Sequence, residues 1–159
     1  MKFIASKKLS DNSTLRLVIL WMLIAFILAM GLSITAKAIE YGATPSEWSN
    51  SVLGNSDEFI DPLTFNDLLL SVHTDLFGLI LTFIMIASIT VRTSRSTTVK
   101  MGFFALSLVC LLLYPLALLT TSFTGTIGVT IAVGSFFLFH LLMIVGSIDL
   151  FLALVRRKF

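Results

Sequence analysis

The chain has 159 residues, of which 57% are hydrophobic and only 13% charged; its net charge is +2 and its mean hydropathy +1.00. A soluble domain normally carries about 25% charged residues, whereas here the apolar residues form four long blocks, each near the ~20 residues that cross a bilayer. This pattern excludes a soluble globular domain. Because the basic clusters flank the apolar blocks, it also gives no sign of nucleic-acid binding.

The first apolar block predicts a transmembrane helix from about residue 15 to residue 38. It follows a tail with Lys2, Lys7 and Lys8 and has no clear small-residue cleavage site. We therefore interpret it as a retained span rather than a removed signal peptide. Lys37 marks its outer end, where we expect the long side chain to extend its ammonium to the lipid headgroups.

An outer loop, about residues 39–61, contains the signature of a short helix. Thr44 is a good N-cap, Pro45 suits the first helical position, and Glu47 completes a capping box. We predict a helix from Pro45 to about residue 53, lying over the mouth of the bundle. Trp48 is then expected to rest at the membrane interface, where tryptophan is enriched.

Three further spans follow, at about residues 62–91, 101–121 and 127–155. The start signal of the second is Asp61-Pro62, and the third contains Pro115, which removes one helical hydrogen bond and is expected to kink the helix. Residues 122–126 predict a tight outer turn. The sequence thus predicts one all-α membrane domain over residues 1–159, an antiparallel four-helix bundle.

The distribution of charge predicts the orientation of this bundle. Ten of the eleven Lys and Arg residues lie in the N-terminal tail with the start of span one, in the middle loop and in the C-terminal tail. Cytoplasmic segments are enriched in these residues, so both termini are predicted to be cytoplasmic. The acidic residues of the outer loop lie on the opposite side: Glu40, Glu47, Asp57, Glu58 and Asp61.

Ionisable groups at membrane depth are costly and are therefore functional candidates. The sequence places four of them in spans two and four: His73, Asp75, His140 and Asp149. Counting back from the basic residue that ends each span, His73 lies ~28 Å and His140 ~24 Å from the inner end. Both spans run inward, so the two histidines are predicted to lie at nearly the same level.

Three interpretations of this histidine pair remain open. Two imidazoles at one level on parallel helices suit the axial positions of a b-type haem, with haem iron as the metal; Leu70 and Phe77 share the face of His73 and suit such a pocket. The pair alternatively contributes to a quinone contact or binds one metal ion. It is otherwise structural, with each ring hydrogen-bonded to a neighbouring helix or to headgroups.

The two aspartates are predicted to be separate. Asp75 lies about 200° around the helix from His73, and at its shallow depth we expect a solvated carboxylate. Asp149 lies ~10 Å from the inner surface, on the face opposite His140, where an ion pair with a C-terminal arginine is expected. The alternative for both acids is a proton path.

Three short segments carry a resemblance to a known family: Tyr41-Gly42-Ala43-Thr44-Pro45, Gly54-Asn55, and Leu69 to Phe77. The chain resembles an uncharacterised family of small four-helix bacterial inner-membrane proteins over about residues 41–77. In that family the second helix often begins with His-x-His-Leu-Phe; His73 matches the first histidine, whereas Asp75 replaces the second. The resemblance implies a bacterial inner membrane, with the acidic loop and an outward-facing histidine site on the periplasmic side.

Three functions from different classes are compatible with these features. The leading hypothesis is a small haem-b-binding or quinone-proximal electron-transfer subunit of a respiratory membrane complex, with His73 and His140 as the ligands. The second is a cofactor-free accessory or assembly subunit, and the third a small transporter or proton conductor that uses Asp75 and Asp149. With no nucleophile–base pair in the sequence, we do not expect an enzyme on its own. The expected partners are the lipid bilayer and a larger membrane complex or further copies of the chain, with no nucleic acid.

Overall fold

A computed structural model describes residues 13–93 and 95–156, and these residues form an all-α bundle. Four helices are long and apolar enough to cross a membrane: Ser13–Tyr41 (α1), Phe65–Thr90 (α3), Thr97–Leu119 (α4) and Thr126–Val155 (α6). Two short helices, Pro45–Leu53 (α2) and Thr121–Thr124 (α5), and a 3₁₀ turn at Ser56–Glu58 lie at one end. The predicted fold, a transmembrane four-helix bundle with a short helix over one mouth, is confirmed.

Helix α6 is the centre of the bundle, because it packs against all five other helices. Its buried residues recur every seven positions, a spacing that keeps side chains close to one face of a helix. One such row consists of Val133, His140, Ser147 and Leu154. By contrast, α1 and α3 both pack on α6 but have few backbone contacts with each other. This arrangement leaves room between α1 and α3.

The second span begins three residues later than the Asp61-Pro62 signal predicts. The cap is Thr64, whose hydroxyl accepts from the backbone N–H of Asp67 at 3.3 Å while the Asp67 carboxylate accepts from the backbone N–H of Thr64 at 3.1 Å. The segment before it is instead tied to α2, since the Leu63 N–H donates to the Val52 carbonyl at 3.1 Å. The reciprocal cap of Thr64 and Asp67 satisfies two backbone N–H groups that would otherwise have no partner at the start of the helix. A proline side chain has no atom that can accept such hydrogen bonds.

The predicted capping box of α2 is confirmed. The Thr44 hydroxyl accepts from the Glu47 N–H, and the Glu47 carboxylate accepts from the backbone N–H groups of Ala43 at 2.6 Å and Thr44 at 2.9 Å. The helix ends at Gly54, whose φ of +82° places it in backbone space that other residues rarely adopt. A Cβ there would lie 2.8 Å from the backbone nitrogen of Pro62.

The expected interfacial position of Trp48 is wrong, because the side chain is fully buried. Its ring centroid lies 4.8 Å from that of Tyr41 on α1 and 5.9 Å from that of Phe136 on α6. Its indole N–H donates to the Gly42 carbonyl at 2.9 Å, so the one polar atom of the ring is satisfied without water. Helix α2 is therefore a plug that closes this end of the bundle, which we call the α2 end.

Candidate functional site

Polar side chains from α1, α3 and α4 converge at the α2 end on the ammonium of Lys37. Its Nζ lies 2.9 Å from a carboxylate oxygen of Glu40, 2.7 Å from the Ser71 hydroxyl and 3.0 Å from a carboxylate oxygen of Asp75. A lysine ammonium has three donors, and each has an acceptor here. We call the group of Lys37, Glu40, Tyr41, Ser71, Asp75 and Tyr114 the Lys37 cluster.

Two tyrosines complete the Lys37 cluster. The Tyr114 hydroxyl donates to the same carboxylate oxygen of Asp75 that binds Lys37. The Tyr41 hydroxyl donates to Ser71 at 2.9 Å, and the Lys37 ammonium lies 4.8 Å from the centroid of the Tyr41 ring, within range of a cation–π interaction. Asp75 is thus held from two sides, by an ammonium and a phenol.

This geometry corrects two expectations. Lys37 does not extend to the headgroups, and Asp75 is not a solvated carboxylate, because their side chains are only 6% and 13% exposed. Each supplies the opposite charge that the other needs, and pairing offsets part of the cost of placing a charge at membrane depth.

A cavity of about 500 Å³ lies beside the Lys37 cluster, between α1 and α3. One ammonium, that of Lys37, faces three carboxylates in its wall, those of Glu40, Asp67 and Asp75. Ala36 and Leu70 supply apolar surface. The cavity combines hydrogen-bond donors, acceptors and an apolar wall, as small-molecule sites generally do.

His140 lies beneath this cavity, fully buried in the core. Its Nδ1 lies 2.8 Å from the Phe136 carbonyl and its Nε2 lies 3.1 Å from the hydroxyl of Ser33, a residue of the cavity wall. Because a carbonyl only accepts, the neutral ring carries its proton on Nδ1, and Nε2 accepts from Ser33. Both ring nitrogens are therefore engaged within the protein.

Residues 42–158 match the model of a family described as a transmembrane helical domain. The chain belongs to this family. The match bears out the resemblance to an uncharacterised membrane family and, with the four apolar helices, makes the chain a multi-pass membrane protein. No curated protein and no solved structure matches the chain. The family match covers the α3 wall of the cavity, together with Tyr114 and His140, but begins after Lys37 and the rest of the α1 wall.

The structure does not bring His73 and His140 together as a pair of free ligands. His73 is exposed, on the side of α3 away from Asp75, together with Phe77, whereas Leu70 lies in the cavity wall. His140 points into the core and has no free nitrogen. The two histidines as described do not fit a haem shared within one chain, and among the described residues no three His, Cys, Asp or Glu side chains cluster to hold a metal ion. Haem ligation by this pair therefore stays a prediction without support from the geometry.

Asp149 lies in a separate cluster at the opposite end of the bundle. Its carboxylate pairs with Arg95 of the α3–α4 loop, a partner that was not predicted. Of the C-terminal arginines, Arg156 lies in the same cavity wall as Asp149, and Arg157 lies outside the described residues. The α3–α4 loop approaches the end of α6 because α4 and α6 pack along their length. Asp75 and Asp149 do not share a site.

Lys37 and Tyr114 were not predicted as site residues from the sequence. The depth count that paired the histidines would have found Lys37: it lies ~32 Å beyond Arg16 along α1, while Asp75 lies ~26 Å from Arg92 along α3. A lysine and an aspartate at similar depth on two apolar helices predict an ion pair. Tyr114 has no comparable signal, since a tyrosine near a helix end is common in membrane proteins.

Proposed function

We propose that the protein is a small subunit of a membrane complex that binds the headgroup of a quinone-type ligand in the cavity between α1 and α3. One observation carries the proposal: the Lys37–Asp75 ion pair lines a cavity between two membrane-spanning helices. Charged groups at such depth are costly and mark functional sites. A lipid-soluble ligand reaches a cavity of this kind from the bilayer.

The chemistry of the cavity suits a quinone headgroup. The carbonyl oxygens of a quinone accept hydrogen bonds. The Ser71 hydroxyl accepts from Lys37 and Tyr41 and so keeps its own proton to donate, while the Lys37 ammonium donates by exchanging one of its present acceptors for the ligand. The hydroxyls of a quinol donate to acceptors, which the carboxylates of Asp75 and Glu40 provide. The volume, about 500 Å³, lies within the ~300–1,000 Å³ typical of small-molecule sites.

The two carboxylates give the site proton acceptors. A quinol that is oxidised gives up its hydroxyl protons together with its electrons; in this proposal Asp75 and Glu40 accept the protons and a partner subunit accepts the electrons. Glu40 is 47% exposed and passes protons on to water. Asp75, held by Lys37 and Tyr114, remains the fixed base.

His140 has a positioning role in this scheme. Its Nε2 orients the Ser33 hydroxyl at the cavity wall, while its Nδ1 proton faces a carbonyl oxygen that does not take it up. The hydrogen-bonded chain therefore ends at Phe136 rather than continuing through the core. The orientation predicted from the loop charges supports a cavity that faces the periplasm of a bacterial inner membrane, and in this proposal the protons are released on that side.

Tryptophan fluorescence tests the proposal, because quinones quench nearby tryptophans. Trp48 contacts Tyr41 of the Lys37 cluster, whereas Trp21 is exposed on α1; a Trp21→Phe background isolates the Trp48 signal. We expect a short-chain ubiquinone or menaquinone analogue to quench this signal saturably in nanodiscs. Asp75→Asn and Lys37→Met should weaken binding at least tenfold, while Asp57→Asn, an exposed loop carboxylate, should not.

Quenching that rises linearly with quinone and is equal in all variants would refute the proposal and leave the accessory-subunit hypothesis. The haem prediction has its own test, the reduced-minus-oxidised absorption spectrum of protein expressed with ample haem. Because both ring nitrogens of His140 are hydrogen-bonded within the protein, we expect that no Soret band depends on both His73 and His140. A band lost in both variants would restore haem b as the cofactor.

A further inference from the structure

Two adjoining cavities lie at the other end of the bundle and meet at the Arg95–Asp149 pair. The first, about 550 Å³, also contains Ser96 and Arg156 in its wall; we call it the basic cavity. The second, about 300 Å³, is walled largely by apolar side chains of α4 and α6, among them Phe103, Leu142 and Val145; we call it the apolar cavity. Thr93, Arg95 and Asp149 belong to both walls.

We propose that the two cavities together bind one anionic phospholipid, with its phosphate in the basic cavity and part of one acyl chain in the apolar cavity. This site lies at the opposite end from the proposed quinone cavity and does not depend on it.

The charges of the basic cavity favour an anion. Two guanidinium groups, those of Arg95 and Arg156, face one carboxylate, that of Asp149. The Arg95–Asp149 pair is about half exposed, 56% and 45%, so water screens it and Arg95 is free to turn to a phosphate. Arginine binds phosphate oxygens bidentately, which an ammonium does not do.

Lys100, although it also lines the apolar cavity, is committed elsewhere. Its ammonium donates to the carbonyls of Val91 at 3.0 Å and Thr93 at 2.6 Å, where it satisfies acceptors left open at the end of α3. Among the residues that belong to both walls, Arg95 is the cation.

The apolar cavity points in the direction that an acyl chain takes from such a phosphate. Leu142 lies seven residues before Asp149 on α6, or ~10 Å further into the membrane. Val99 and Val145 in the wall are 61% and 56% exposed, so the cavity is accessible from the surface of the bundle. At Gly146 the absence of a side chain lets Phe103 lie against α6, since a Cβ would come within 2.9 Å of its ring.

The apolar cavity distinguishes a lipid from a free phosphate, which would use the basic cavity alone. The loop charges place this end at the cytoplasmic leaflet, whose anionic lipids are attracted to basic pockets between membrane helices. Charge, direction and apolar volume all favour the same ligand.

Native mass spectrometry of the full chain tests the proposal with added phosphatidylglycerol, phosphatidylcholine or inorganic phosphate. We expect one retained phosphatidylglycerol, bound at least tenfold more tightly than phosphatidylcholine and not displaced by millimolar phosphate. The double variant Arg95→Gln/Arg156→Gln and the filling variant Val145→Trp should each weaken it at least tenfold. Matched controls outside both walls, Arg92→Gln and Ile148→Trp, should not.

Three results would overturn the proposal. Equal retention of phosphatidylglycerol and phosphatidylcholine would show that charge does not select the ligand. Displacement of the lipid by inorganic phosphate would indicate a simple anion site. Full lipid binding by Val145→Trp would exclude an acyl chain from the apolar cavity. Should a variant unfold, photolabelling of the unaltered chain decides the matter. A phosphatidylglycerol with a diazirine in its acyl chain should label peptides containing Phe103 or Leu142, and labelling spread evenly over all helices would contradict the site.

Discussion

Removing the charge of Lys37 should destabilise the bundle more than removing any exposed charge. In Lys37→Met the Asp75 carboxylate, 13% exposed, keeps only the Tyr114 hydroxyl as a donor. Breaking a buried ion pair by removing one partner costs roughly 3–5 kcal/mol, because an uncompensated charge remains. Some water enters from the adjoining cavity, so we expect about 3 kcal/mol, near the low end of that range.

A double-mutant cycle separates the pair from its surroundings. Asp75→Leu alone leaves Lys37 with Glu40 and should cost about 2 kcal/mol, since a second carboxylate still offsets the ammonium. In the double variant both charges are gone and apolar side chains of similar size replace them, which is often nearly neutral for buried pairs. Because the two single losses are not expected in the double variant, the coupling free energy should be about 3 kcal/mol or more, at or above the upper end of the roughly 0.5–3 kcal/mol found for contacting residues.

Reversible unfolding in mixed detergent and SDS micelles, followed by helical circular dichroism, measures these free energies. Arg95→Gln is the control, because the half-exposed Arg95–Asp149 pair should contribute less than about 1 kcal/mol. Additive effects of Lys37→Met and Asp75→Leu, or a loss no larger than that of the control, would show that the ion pair does not hold α1 against α3.

Three further changes probe the plug and the core. Gly54→Ala should destabilise by roughly 1–3 kcal/mol, since its backbone region is essentially restricted to glycine. Gly134→Ala, inside α6 with no atom within 4 Å of the new Cβ, should leave the unfolding free energy equal or slightly higher, because alanine favours a helix more than glycine does. Backbone amides hold the pKa of Glu47 below its ordinary value. The stabilisation of α2 by Glu47 is therefore complete above the unfolded pKa of about 4 and is lost as the pH falls through the folded pKa. A red shift of Trp48 emission on acidification, absent in Glu47→Gln, would confirm this loss. Ser107→Ala should raise the unfolding free energy by about 1 kcal/mol, because removing an unpaired buried hydroxyl also removes its desolvation penalty. The Ser107 hydroxyl is buried and has no hydrogen-bond partner among the described residues. Equal or lower stability of the variant would contradict this reasoning.

The four spans and the α2 helix were predictable because their signals are local. Apolar length is set by the thickness of the bilayer, and the capping box at Thr44 and Glu47 depends on residues three positions apart. The start of α3 was missed by three residues, because Thr64 and Asp67 form a stronger cap than Asp61-Pro62. Local competition between caps of this kind changes the residue at which a helix begins, but not whether the helix forms.

The contents of the site were harder to predict, because they depend on which helices are neighbours. Depth can be counted along one helix, but the facing of Lys37 towards α3 follows from the packing of both helices on α6. The burial of Trp48 has the same origin: its ring occupies space between Tyr41 and Phe136, which belong to different helices. A periodicity within one segment contains no information about such partners.

The central position of α6 has a consequence for the order of assembly. Helix α6 is the last of the described helices to be synthesised, yet it supplies Phe136 to the contact that holds Trp48 and packs against every other helix. Until α6 enters the membrane, Trp48 of the plug lacks its contact with Phe136 and the core of the bundle is incomplete. Lys37 and Asp75, on α1 and α3, emerge earlier, but α1 and α3 are brought together by their packing on α6, so their ion pair forms when α6 is in place. The ion pair and the docked position of α2 therefore both depend on the synthesis of α6.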